Sequence, residues 1–270
     1  MYNLLISIGI AALAFLLGWL GGNTWVAGIF PAFVALLISY FLLARRTGRQ
    51  LEAIMQRAMA EADALKPEKL AALAQRTRSE KVVREAQTAA LKKIRAAMME
   101  GFALAPWQFL VASQLHAQIG ALDYQEGNYA DARKHLEKAW SRNWMAQVQL
   151  AAMDWRDGKR AEARARLEKA RGGGEKEALY WGVSAWMALE SDDKDKALQL
   201  LGEGLKKLPG NKPLSEMADA VRNQKRFQAR VFGDAWYQFF PEHVTDADRR
   251  AMAERFMQPK GTYRPPMPRR

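Results

Sequence analysis

The sequence predicts an all-α protein in four parts. They are a transmembrane helical hairpin (1–44), a basic juxtamembrane helical arm (45–105), a short α-solenoid with a capping helix (106–230), and a C-terminal helix with a basic, proline-rich tail (231–270). Three observations lead to this reading. The first 44 residues contain no Lys, Arg, Asp, Glu or His. The rest is dominated by Ala, Leu, Glu, Lys, Arg, Gln and Met, which favour helix, and no run combines β-branched density with strict alternation. A 20-residue pattern also recurs at an offset of 31 residues.

The uncharged block holds two apolar runs, Leu4–Leu20 and Trp25–Ala44, separated by Gly21-Gly22-Asn23-Thr24. Each run is about long enough to cross the ~30 Å hydrocarbon core as a helix, and so short a turn joins antiparallel neighbours. Trp19 and Trp25 bracket the turn, with Tyr2 and Tyr40 toward the opposite face, as interfacial aromatic anchors. Arg45, Arg46 and Arg49 follow the second run, whereas the turn has no charge. The positive-inside bias therefore places both ends and the remainder of the chain in the cytoplasm. Two bland readings compete. A secretory signal peptide would have a basic n-region and a small-x-small cleavage site, which Leu4–Leu20 lacks. A buried core hairpin would need a larger domain around it. Gly18-x-x-x-Gly22 matches the small-residue packing motif of dimerising spans, and Pro31 is tolerable inside a membrane helix.

Charge divides unevenly. Of the net +12, residues 45–100 carry +6, residues 225–270 carry +5, and the intervening stretch only +1. Basic segments beside a membrane are attracted to an anionic leaflet by about 1 kcal/mol per residue, so an anionic lipid bilayer is the expected partner of Arg45, Arg46 and Arg49. Nucleic acid is not, because no recognisable module accompanies the basicity. The chain has no cysteine, which excludes disulfides and thiolate chemistry.

The second apolar run should continue as helix to about Leu65, with Pro67 breaking or restarting it. A single long helix is then expected from Pro67 to Phe102, striped by Leu70, Leu73, Val82, Ala86, Ala90, Ile94 and Met98. Residues Leu91–Pro106 read as the second helix of a decayed repeat. The repeat itself aligns Gly120–Ala139 with Ala151–Ala170. Glycines at Gly127 and Gly158 suit left-handed helix C-termini, and Ala132 and Ala163 recur where helices approach closely. A third copy aligns Ala185, Ala197, Leu201 and Gly204 with Ala151, Ala163, Leu167 and Ala170, and Pro209 ends it. Pro213–Arg230 reads as a cap helix, Thr245–Met257 as a last helix, and Gln258–Arg270 as a flexible basic tail.

In Gly120, Gly127, Tyr129, Ala132, Leu136 and Ala139 this pattern resembles the tetratricopeptide repeat, a helix-turn-helix unit of about 34 residues. Arg160 departs from it at the bulky position of the second copy, and Asp192 at the glycine of the third. The resemblance covers about Trp107–Pro209. It implies a concave groove that holds a peptide, and the implied groove residues are Tyr124, Gln125, Trp155, Arg156, Trp186 and Glu190. Tyr, Trp and Arg are also favoured interface types. The Lys/Asn clamp of some relatives is absent, with Ala117 and Ala121 where it would lie.

No catalytic constellation emerges, and no enzyme activity, cofactor or metal is expected. His116, His135 and His243 are too scattered for a metal or catalytic set, and they are read as packing or surface residues. Gly172-Gly173-Gly174 lacks the Lys-Ser/Thr of a phosphate loop and reads as a turn between repeats. Asp192-Asp193-Lys194-Asp195 fails as a calcium loop, because Lys194 and Lys196 fall at ligand positions. The expected function is that of a membrane-anchored adaptor or scaffold whose cytoplasmic repeats bind a protein partner at the membrane surface. The alternative is a structural subunit of a self-assembling membrane complex, with a homo-oligomer as the assembly.

Overall fold

The computed structural model describes residues 1–225 and 229–245, and among these no strand occurs. Eleven α-helices and three 3₁₀ segments are found in the described residues. The expected helix Thr245–Met257 and the tail fall, but for Thr245 itself, outside the described residues.

Helices α1 (Tyr2–Gly22) and α2 (Trp25–Asp63) form the hairpin. Asn23, at φ 48°, makes the left-handed turn between them. Both are long and apolar enough to cross a membrane, and only 6% and 11% of their most apolar stretches are buried within the protein. That exposure distinguishes them from the core helices of a globular domain, which hide such surface from water. The two helices touch at backbone distance. A Cβ on Gly28 would lie 2.5 Å from the Phe15 carbonyl oxygen, and one on Gly18 would lie 2.8 Å from that of Ala27. The small-residue motif of α1 is thus engaged inside the hairpin rather than facing outward for a second copy. Gly28→Leu should splay the hairpin. Cysteine pairs placed across α1 and α2 would report this as lost crosslinking, with Gly9→Leu, at an open position, as the neutral comparison.

Helix α2 does not stop where its apolar run stops. It continues unbroken past Pro31 and through the arginines for 39 residues, about 58 Å at 1.5 Å per residue. Beyond it, the single helix expected over Pro67–Phe102 is two helices, α3 (Pro67–Thr77) and α4 (Glu80–Glu100), which are separated by Arg78 at φ 50° and the extended Ser79. The Thr77 hydroxyl donates back to the Leu73 carbonyl, and Thr and Ser here are weak helix formers. A 3₁₀ turn, Gly101–Leu104, completes the arm. The stripe on α4 is realised only in part: Ala90, Ile94 and Met98 are buried, while Val82 is exposed.

Ile94 and Met98 join Ala58 of α2 and Val111, Leu115 and Ile119 of the next helix in one apolar cluster. Arm and repeat region therefore share a core across residue 105. The extension of α2 is one wall of that core, which ties the body to the hairpin.

Three consecutive helix pairs follow: α5 (Val111–Gln125) with α6 (Tyr129–Leu136), α7 (Trp144–Arg156) with α8 (Arg160–Gly174), and α9 (Ala178–Leu189) with α10 (Lys194–Lys207). Gly127 (φ 81°) and Gly158 (φ 75°) turn the first two pairs, and Asp192 (φ 58°) takes the same conformation in the third. Ala132, Ala163 and Ala197, the recurring small residues, are fully buried. Gly172-Gly173-Gly174 is not a turn. It is the last turn of α8, where Gly173 approaches the Arg142 carbonyl and Gly174 the ring of Tyr180 too closely for any side chain.

Helix α11 (Lys212–Arg222) begins with the Asn211 side chain capping the Leu214 amide at 3.2 Å. It ends at Arg222, short of the expected Arg230. The chain then returns across the repeats as 3₁₀ segments, Ala229–Gln238, kinked at Gly233, and Pro241–His243. Trp236, Phe239 and Phe240 of this return segment are buried in the main core.

Candidate functional site

The residues implied as a groove lie at the C-terminal ends of the first helices of the pairs. Tyr124 and Gln125 end α5, Trp155 and Arg156 end α7, and Trp186 stands one turn from the end of α9. The structure brings Tyr124, Trp155, Arg156 and Trp186 together, and it lays the chain's own return segment over them.

Hydrogen bonds and ring packing hold the segment there. The Tyr124 hydroxyl donates to the Phe239 carbonyl. Arg156 donates to both carboxylate oxygens of Glu242, Nε at 2.9 Å and Nη2 at 2.7 Å, and Nη2 also reaches the Phe239 carbonyl at 3.0 Å. Paired N–H groups on a carboxylate give directional, charge-assisted recognition. The guanidinium also lies 5.1 Å from the ring centroid of Tyr124 and 4.5 Å from that of Tyr129. Trp186 packs on Trp155 at 5.6 Å, on Phe240 at 4.5 Å and on His243 at 5.1 Å. Gly182 on α9 admits Phe232, whose ring would lie 2.3 Å from any Cβ added there. Gln125 and Glu190 remain exposed at the rim.

Burial pushes the Tyr124 phenol well above the ordinary tyrosine range, so it stays a donor. His243 receives the Trp236 indole N–H on Nδ1 at 3.2 Å and stacks on Phe240 at 5.0 Å. Burial holds its imidazole below the ordinary value of 6.5, with Glu242 and Glu190 pulling upward and Arg156 downward. Folding thus favours the neutral ring, and the unfolded chain takes up the proton more readily. The stability His243 contributes is complete above about pH 6.5 and is lost as pH falls toward its folded value. Wild type should therefore lose more thermal stability between about pH 7.5 and about pH 5.5 than His243→Phe, which keeps the stacking and cannot titrate. The comparison must be made between variants, because His116 is shifted the same way by burial and by His135 and Lys138.

His116 and His135 are not scattered after all. Packing of α5 on α6 brings their Nδ1 atoms within 3.0 Å, a hydrogen-bonding distance at which one ring donates and the other accepts. Among the described residues no group of three or more acidic or histidine side chains could hold a metal.

Beneath the aromatic surface lies an electrostatic feature that the sequence reading passed over. Asp154 is 2% exposed. It accepts from Arg133 of α6 and Arg166 of α8, both at 2.5 Å, and so joins two helix pairs. Asp123 holds the same place in the first copy, buried at the end of α5. Its partner is Arg95 of α4, 2.5 Å away. That contact is ionic and poorly directed, since neither Asp123 oxygen has a well-aligned hydrogen bond. Arg95 of α4 thus does for the first pair what Arg133 does for the second. The signal was present: Asp123 and Asp154 stand 31 residues apart in the aligned copies.

Arg45, Arg46 and Arg49 are exposed along α2 just past its apolar run, and none has an acidic partner among the described residues. Compared with protein-family models, curated proteins and solved structures, the chain finds no match.

Proposed function

We propose that this chain is a two-span membrane protein with both ends in the cytoplasm, and that its tetratricopeptide-like repeats serve as a scaffold for a protein partner at the bilayer surface. The observation that carries the reading is the aromatic and Arg156 surface with a peptide already seated on it. The return segment supplies Trp236, Phe240 and a carboxylate, Glu242, to Trp186 and Arg156. A partner segment of the same chemistry, aromatic residues followed by an acid, would take its place by displacing residues 231–243. Anchoring by the hairpin confines the scaffold to the membrane, which raises its effective concentration toward other membrane proteins without any new contact. The alternative, a self-assembling structural subunit, is less well supported, because the small-residue motif of α1 packs within the hairpin.

Crosslinking in native membranes, followed by affinity capture and mass spectrometry, tests the reading. Trp236→Ala/Glu242→Ala, which weakens the segment and leaves the surface intact, should increase recovery of a specific partner. Adding Arg156→Ala to that variant should reduce it. Recovery of mainly the protein itself, unchanged across the variants, would favour the assembly reading and remove these residues from the binding surface.

A further inference from the structure

The loop between the arm and α5 touches the beginning of the hairpin. The Tyr2 amide donates to the Pro106 carbonyl at 2.8 Å and the Asn3 amide to that of Trp107 at 3.2 Å. The Tyr2 ring meets Trp107 edge-on at 5.3 Å. Across the hairpin, the buried Asn3 side chain donates to the Thr47 hydroxyl at 3.0 Å. This bond sets the start of α1 level with Arg45, Arg46 and Arg49. The loop is therefore held at the height where the apolar surface of the hairpin gives way to basic residues.

Its aromatic residues are poorly covered by the protein. Trp107 is 41% exposed and Phe109 62% exposed, beside the half-exposed Tyr2. A cleft of about 330 Å³, lined by Asn3, Arg46, Thr47, Gln50 and Trp107, opens at the same level. Contiguous exposed apolar groups rimmed by polar ones mark an interaction site. Trp and Tyr favour the headgroup layer, where an apolar body and a polar tip are both satisfied.

We propose that loop 105–110 is a third membrane contact, with Trp107 and Phe109 seated in the phospholipid headgroup layer and Arg45, Arg46 and Arg49 pairing with lipid phosphates around it. The proposal rests on the two-span reading. Its occupant is lipid because the patch is continuous with the hairpin's own exposed apolar surface and because the three cations lack acidic partners among the described residues. The contact would clamp the body against the bilayer at two points, the shaft of α2 and this loop, and so fix which face of the repeats is turned toward the cytoplasm.

The absence of cysteine makes the test direct. Single cysteines are introduced in the full-length chain at Phe109→Cys, at Pro106→Cys with Phe109 intact, at Leu13→Cys within α1 and at Glu162→Cys on α8. Each is labelled with an environment-sensitive fluorophore in nanodiscs of phosphatidylcholine and phosphatidylglycerol. The labels at 106 and 109 should be quenched by a headgroup-spin-labelled lipid and should be several-fold less sensitive to aqueous iodide than the label at 162. Replacing phosphatidylglycerol by phosphatidylcholine, or replacing the three arginines by glutamine, should weaken the lipid quenching at 106. If 106 and 109 behave like 162 while 13 is lipid-protected, the spans stand and the loop contact is wrong. If 13 is also aqueous, the two-span reading itself fails. If 106 and 109 are aqueous in nanodiscs and shielded only in native membranes, the occupant is a protein and the lipid proposal is overturned.

Discussion

Asp154→Ala is expected to lower the stability of the helical body by about 3 kcal/mol, the lower end of the range for breaking a buried ion pair. The carboxylate is almost wholly buried and answers two arginines from different helix pairs. Removing it leaves Arg133 with Asp157 and Arg166 with Glu137 as their remaining acidic partners, both more exposed than Asp154. Both guanidiniums keep some contact with water, which places the effect at that lower end. Asp154→Asn keeps the volume and one acceptor and should cost less. Asp131→Ala removes an exposed pair with Lys134 and should leave the melting temperature unchanged. Thermal or denaturant unfolding in detergent orders the three variants. Equal losses for Asp154→Ala and Asp131→Ala would mean that the buried position has no special weight.

Trp236→Ala is expected to be as large but more local. Trp236 is fully buried among Phe232, Phe240, His243 and Trp186, and truncating a core tryptophan removes about 3–5 kcal/mol. The loss falls on the return segment, which crosses the repeats rather than forming them. Hydrogen exchange should then show residues 231–243 losing protection while α7 to α10 keep theirs. Loss of protection throughout would make the segment an inseparable part of the core, and a partner could not displace it without unfolding the protein.

What the sequence revealed and what it hid follow from the range of the forces involved. The hairpin was legible because 44 residues without charge leave few alternatives, and the run of α2 to Asp63 because no proline stands between the apolar run and Pro67. The turns at Gly127 and Gly158 were legible because a left-handed residue after a helix calls for glycine. The break at Arg78–Ser79 was missed because no glycine or proline marks it, although the apolar stripe lapses between Ala74 and Val82. The glycines at 172–174 were misread as a turn, since composition cannot distinguish a loop glycine from one that admits a neighbour's backbone or ring.

The candidate surface divides in the same way. Tyr124, Trp155, Arg156 and Trp186 were legible from the repeat register. Their covering was not. Phe232, Trp236, Phe239 and Phe240 have helix-like spacing, but Gly233 and Pro241 break it, and nothing local says which surface so short a segment covers. Asp123 and Asp154 were passed over although the register displays them, because a lone acid becomes informative only once its arginine is seen across the helix boundary.

The account stands or falls on the hairpin crossing the bilayer with the repeats on one side. The decisive measurement is impermeant thiol labelling of two single-cysteine chains, Thr24→Cys in the turn and Asp195→Cys on α10, in sealed vesicles of both orientations. The account predicts opposite accessibility: the turn reacts only from the face away from the cytoplasm, and residue 195 only from the cytoplasmic face. Reaction of both positions from the same face would contradict it.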